Sequence, residues 1–230
     1  LLSEGPLTSI NLLKQVIEKF PDTWTAANLV LDDIIDIATS NKLWDEAIEA
    51  CIKAESVKPS YKQSYMLQAE ACRLFKAGKE LQAIEVLFKK DTLHGKWSGT
   101  ICSYGDKFAR LGARDKAWQL YNEAVGLAVK EGKSPHSIRE SMATFLIEEK
   151  KLGQAVEILI YGASEALPLI KKGELPKSYI SSLKKALKIA GIINIGELLE
   201  EILIDCRNLT PEIAVAKFRK NFDSNSEKNG

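Results

Sequence analysis

The sequence predicts an all-α fold, an α-solenoid of antiparallel helix hairpins, from three observations. Apolar residues recur three and four positions apart, the spacing of amphipathic helices rather than strands. Turn signals stop that pattern about every fifteen to twenty residues, at Pro21-Asp22, Ser40-Asn41, Pro59-Ser60, Ala77-Gly78, Leu111-Gly112 and Gly132-Lys133-Ser134-Pro135. A frame of small and apolar residues also repeats along the chain, and a repeat of that length indicates stacked two-helix units.

The repeat is anchored on alanines. Ala47, Ala83, Ala117 and Ala155 occupy the same place in four segments and stand 36, 34 and 38 residues apart. Twelve places before them lie Ile35, Ala71, Gly105 and Ala143, and nine before lie Ala38, Leu74, Phe108 and Leu146. Four places after come Cys51, Leu87, Tyr121 and Leu159. Small side chains let two helices approach, and larger ones fill the remaining gaps. One hairpin cannot bury its apolar face alone, whereas a stack can.

In chain order, residues 1–22 hold the leading helix of an incomplete repeat, read from Ser9 to Phe20 and stopped by Pro21. Residues 23–165 hold four hairpins. The apolar run Ala155 to Tyr161 has a strand-like composition, but its place in the repeat makes it helical. Residues 166–222 hold capping helices, read as Ser178 to Ala190, Ile195 to Cys206 and Pro211 to Phe222. Thr210 serves as the last helix's cap, with Pro211 in its first turn. The polar stretch 223–230 reads as a disordered tail. Because the chain opens Leu1-Leu2 rather than with Met, it reads as part of something longer.

The 230 residues are 45% hydrophobic and 27% charged, a balance that suits a folded, soluble protein and excludes a disordered chain. Thirty-two basic residues against thirty-one acidic ones leave +1, so any binding of nucleic acid or anionic lipid has to be local. The balance is uneven along the chain. Residues 1–60 carry five Lys/Arg against ten Asp/Glu, and residues 61–130 carry twelve against seven. Neither a membrane-spanning apolar run nor a secretory signal is expected. Cys51, Cys72, Cys102 and Cys206 are far apart and each sits in an apolar periodic segment, so they read as buried reduced thiols in an intracellular reducing compartment, cytoplasmic or, alternatively, an organelle matrix.

This residue grammar resembles the tetratricopeptide repeat over roughly residues 24 to 165. Asp45 to Pro59 matches best, with Ala47, Ala54 and Pro59 at the family's spacing, and Gly78 and Gly112 at its turn glycine. The stretch Leu74 to Phe88 and the stops Val57-Lys58-Pro59-Ser60, Gly132-Lys133-Ser134-Pro135 and Gly173-Glu174-Leu175-Pro176 are similar to pentatricopeptide hairpins. Either resemblance implies a right-handed superhelix.

The tetratricopeptide resemblance implies that the first helix of each hairpin lines a concave face. It places Asp32, Asp36, Tyr65, Gln68, Phe75, Lys76, Cys102, Asp106, Arg110, Glu140 and Thr144 there, as residues that bind a partner. Such mixed charge suits a peptide, helix or folded domain, so a non-catalytic protein-interaction scaffold is expected. Asp32 and Asp36 stand where the family's clamp for a chaperone tail needs basic and Asn side chains, so that ligand is not expected. The pentatricopeptide resemblance implies the alternative, a single-stranded RNA-binding segment of an organellar or post-transcriptional regulator. Lys76, Lys79, Lys89, Lys90, Lys96, Lys107, Arg110, Arg114 and Lys116, with Phe75, Trp97 and Tyr104, form its candidate patch.

Nothing points to an enzyme. His94 and His136 read as solvent-facing loop residues without a nucleophile arrangement. Gly95 to Gly99 lacks phosphate-loop spacing, and Asp32, Asp33 and Asp36 read as an exposed acidic face rather than a metal site. No cofactor, metal, small-molecule substrate or membrane is expected. Lys184, Lys185 and Lys188 beside Ile180, Leu183 and Leu187 read as a capping helix rather than a membrane-surface one.

Overall fold

A computed structural model describes residues 5–19, 24–167, 175–192 and 194–226. All of its regular structure is helical, and no strand occurs among the described residues. The chain divides into two compact units, residues 1–95 and 96–230, with the division falling inside the 23–165 segment expected to form one run of hairpins. Pro21 lies outside the described residues.

The first unit contains α1 (Pro6–Lys19), α2 (Trp24–Ser40), α3 (Trp44–Val57), α4 (Lys62–Lys76) and α5 (Glu80–Asp91), with a 3-10 turn at Pro59–Tyr61 before α4. Each helix packs on the next. Ile10, Leu31, Ile34, Ala47 and Cys51 are buried in its core. Asp45 and Glu46 in the first turn of α3, and Arg73 and Lys76 in the last turn of α4, match the helix dipole. The Lys14 ammonium on α1 reaches Glu46 at 2.6 Å and Glu49 at 2.8 Å on α3.

The second unit contains α6 (Ser98–Arg110), α7 (Arg114–Lys130), α8 (His136–Glu148), α9 (Leu152–Ala166), α10 (Lys177–Ile189), α11 (Ile195–Asn208) and α12 (Pro211–Ser226). Helices α6, α8 and α10 contact one another in succession, while α9 receives α10, α11 and α12. The last of these lies along α9: Arg219 forks onto Glu157 at 2.9 and 2.7 Å, the Tyr161 hydroxyl donates to Glu212 at 2.9 Å, and Phe218 is buried. Leu183 and Leu187 of α10 are fully buried, so the apolar side of its lysine stripe faces the unit's interior. Helix α12 runs to Ser226, into the tail expected to be disordered from 223; residues 227–230 lie outside the described ones.

The repeat frame appears as one turn built four times. The residue five places before each alanine anchor has a positive φ: Lys42 at 58°, Gly78 at 71°, Gly112 at 74° and Lys150 at 60°. The next N–H in each turn, from Leu43, Lys79, Ala113 or Lys151, donates back five residues to Ala38, Leu74, Phe108 or Leu146 at 2.8–2.9 Å. This is the Schellman closure, which satisfies carbonyls at the end of one helix and reverses the chain. The anchor's own N–H then bonds to the carbonyl four residues earlier, starting the second helix. Ala47, Ala83, Ala117 and Ala155 are all 0% exposed, so these small side chains lie buried inside their units, and the architecture is all-helical and repeat-like.

Candidate functional site

The expected partner-binding residues fall into two groups, one in each unit. In the first unit, Asp32 and Tyr65 meet in a cleft of about 590 Å³ together with Leu29, Lys58 and Tyr61. Both Asp32 carboxylate oxygens are engaged: Oδ2 accepts from Lys58 Nζ at 2.7 Å and Oδ1 from the Tyr65 hydroxyl at 2.8 Å. Burial disfavours the Lys58 ammonium, but hydrogen bonds to Asp32 and Tyr65 outweigh it and hold its pKa above the ordinary lysine value. The Asp32 charge is thus answered within the chain.

The rest of this group are dispersed along α2 and α4. Asp36 is exposed one turn beyond Asp32. The Gln68 Oε1 accepts from Lys90 at 2.7 Å. Phe75 is half-buried and stacked on Trp44, with ring centroids 5.1 Å apart and planes 13° from parallel. Lys76 grips Asp45 at 2.6 and 2.8 Å.

In the second unit, four expected residues line a single cleft of about 360 Å³. Asp106 and Arg110 lie one turn apart on α6, and Glu140 and Thr144 lie one turn apart on α8. Tyr121 of α7 and Phe145 of α8 also line the cleft, their centroids 6.0 Å apart. The Tyr121 ring lies so close to Gly105 that an added Cβ would meet it at 2.7 Å, so glycine at this position lets α7 approach α6. The Tyr121 hydroxyl donates to Asp106 at 2.7 Å, and burial together with that carboxylate pushes its pKa well above the normal phenol value. Glu140 accepts from the Ser182 hydroxyl of α10 at 2.5 Å. Cys102, one turn before Asp106, is half-buried and hydrogen-bonded to Ser141.

The remaining sequence expectations resolve individually. Cys51, Cys72 and Cys206 are buried and Cys102 partly so, and all four are free thiols. Burial pushes Cys51 up to about 12 and raises the other three, so they are protonated at neutral pH. His94 is exposed in a turn, as expected. His136 is not in a loop: it opens α8, half-buried, with its ring edge toward Tyr179 at 6.0 Å. Pro135 ends the preceding loop, and the turn of helix that follows carries the ring into the α8/α10 contact. Of the basic patch, Lys96 pairs with Glu123 at 2.6 Å, Arg114 with Glu149 at 2.7 Å and Lys90 with Asp91 at 3.4 Å. Trp97 is 62% exposed, whereas Tyr104 is buried with Lys107 Nζ 4.1 Å from its ring centroid. Among the described residues, no group of three His, Cys, Asp or Glu is placed to hold a metal, and no helix is long and apolar enough to cross a membrane.

Sequence reasoning missed Lys58, Ser137, Ser141 and Glu148. The last three had a signal: with Glu140 and Thr144 they fall at i, i+3, i+4, i+7 and i+11, one polar stripe along α8. Lys58 had none, because its partner lies 26 residues away. Compared with known proteins, the chain matches no family model and no curated protein.

Proposed function

We propose that the chain is a non-catalytic protein-interaction scaffold whose hairpins form stretches of a right-handed α-solenoid of the tetratricopeptide kind. The observation that carries the reading is the convergence of Asp106, Arg110, Glu140 and Thr144, from the first helices of two successive hairpins, on the α6/α8 cleft. A groove walled by helices is already formed before binding, which lowers the ordering cost for a peptide or a partner's helix. Its mixture of both charges, hydroxyls and an aromatic floor has the make-up of a protein-recognition surface. A phosphate backbone is answered less well, because several cations of the basic patch are already neutralised inside their own unit.

Fluorescence titration of the whole chain tests this against peptides selected from a displayed library and against mixed-sequence single-stranded RNA, at two salt concentrations. The expected result is peptide binding that Thr144→Trp, which fills the cleft from an exposed position, abolishes. RNA binding that is steep in salt and lost on combining Lys76→Glu with Arg110→Glu would replace this reading with the pentatricopeptide-like one.

A further inference from the structure

Among the described residues, the charges of the α6/α8 cleft have no ion-pair partner. Its walls carry three carboxylates, Asp106, Glu140 and Glu148, and one guanidinium, Arg110. None of the four makes an ion pair among the described residues; Asp106 and Glu140 instead accept hydroxyl hydrogen bonds, from Tyr121 and Ser182. Three cations next to these acids in sequence or space are committed elsewhere. Lys107, beside Asp106, lies over the Tyr104 ring, its Nζ 4.1 Å from the centroid. Arg139, beside Glu140, turns to Glu165 at 3.2 Å and covers the Tyr161 ring at 4.7 Å. Arg114 takes Glu149 at 2.7 Å rather than its neighbour Glu148. The first unit's cleft is the opposite case, since Lys58 fills the position against Asp32.

We infer that this cleft takes a peptide segment bearing one lysine or arginine side chain, which stands among Asp106, Glu140 and Glu148 as Lys58 stands against Asp32. This rests on the reading of the cleft as a protein-binding groove and names the partner's chemistry. The hydroxyls of Ser137, Ser141 and Thr144 offer neutral hydrogen-bonding groups beside the carboxylates. Arg110 repels a second cation and pairs with an acidic neighbour of the basic residue. The ligand is therefore an isolated basic side chain in neutral or acidic flanks, not a polybasic run. The excess of carboxylates disfavours phosphate at this cleft.

A displayed random-peptide library panned on the whole chain supplies the probes, and the affinity of each selected peptide is measured by fluorescence anisotropy. The expected binders share one Lys or Arg at a fixed position, lose about tenfold in affinity on Glu140→Gln combined with Glu148→Gln, and weaken as salt rises. Gln keeps the acceptor oxygen for Ser182, so the variant's thermal unfolding should match that of the parent chain. Arg110→Ala changes affinity for polybasic peptides in the other direction and tightens it. Binders that Thr144→Trp removes but that lack a basic residue, or that ignore the double Gln variant, overturn the inference and leave the groove reading standing. If no selected peptide is sensitive to Thr144→Trp, both are overturned.

Discussion

The Glu131 carboxylate accepts the backbone N–H of Ser98 through one oxygen and the Ser98 hydroxyl through the other, both at 2.8 Å. A residue just past the end of α7 thereby caps the start of α6, where Trp97 offers no side-chain acceptor. The hydrogen bond from Lys133, followed by those from Ser98, lowers the Glu131 pKa from 4.5 to about 2. A carboxylate depressed on folding contributes stability that is fully present above pH 4.5 and is lost as pH falls through 2. Glu131→Gln should lower the urea midpoint at neutral pH, flatten the acid side of the profile, and converge with the parent chain below pH 2. Midpoints of the two chains measured across that window check it; parallel curves would exclude the cap as the cause.

Two of the four repeat turns place lysine where the backbone is left-handed, Lys42 at φ 58° and Lys150 at φ 60°. A side chain there strains against its own carbonyl, by about 1 to 2 kcal/mol. Glycine removes that strain but adds freedom to the unfolded chain. Lys42→Gly and Lys150→Gly should each therefore stabilise the protein by about 0.5 to 1 kcal/mol. Gly78→Ala and Gly112→Ala, where an added Cβ would meet no atom within 4 Å, should each cost about 1 kcal/mol from the dihedral alone. Denaturant midpoints of the four single variants, with unchanged slopes, test both signs.

What the sequence revealed depends on how local each signal is. Ala47, Ala83, Ala117 and Ala155 were legible because contact between two helices of one hairpin leaves a small residue at a fixed distance from a turn. The turns themselves were legible at Gly78 and Gly112, where glycine marks them, and at Lys42, which the Ser40-Asn41 signal precedes, whereas the turn at Lys150 carried no turn residue to mark it. The division after Gly95 left no mark in composition. Longer-range pairings such as Lys58 with Asp32, Glu131 with Ser98 and Arg219 with Glu157 depend on tertiary geometry that no spacing encodes. The same limit applies to the candidate site. The residues of α6 and α8 were named because a helix face is periodic, but that Arg139 turns away from Glu140 is decided by the packing of α9.

Gly105 and Ala117 test the packing rule directly. The Tyr121 ring occupies the place of a Gly105 side chain and is held there by Asp106, so it cannot withdraw without losing its hydrogen bond. Gly105→Ala should cost about 1 to 3 kcal/mol through overpacking, even though alanine is the better helix former. Ala117→Leu should cost at least as much, because the anchor is 0% exposed. In contrast, Gly126→Ala on α7, with open space around its Cβ position, should stabilise by about 0.5 to 1 kcal/mol. A Gly105→Ala chain as stable as its parent would show that the α6–α7 approach does not depend on a missing side chain.

Tyr179 provides the corresponding test where α10 meets α9. Its fully buried ring delivers the hydroxyl to the Leu159 carbonyl at 2.7 Å, across the place where a Gly162 side chain would be. The stem of Arg139 closes the other side, its Cβ and Cγ each 2.9 Å from the position an alanine Cβ would take. Burial drives the phenol pKa well above its usual value, so the hydroxyl remains a donor throughout the alkaline range in which exposed tyrosines ionise. Tyr179→Phe keeps the ring and removes only the donor, for an expected loss of about 1 kcal/mol. Gly162→Ala forces the hydroxyl and the Arg139 stem apart and should cost more, about 2 to 3 kcal/mol. Combining the two should recover part of that cost, because the clash is with the hydroxyl itself, so a double-mutant cycle on urea midpoints should give a favourable coupling. Strict additivity would mean that the Arg139 stem alone, not Tyr179, requires glycine at this position.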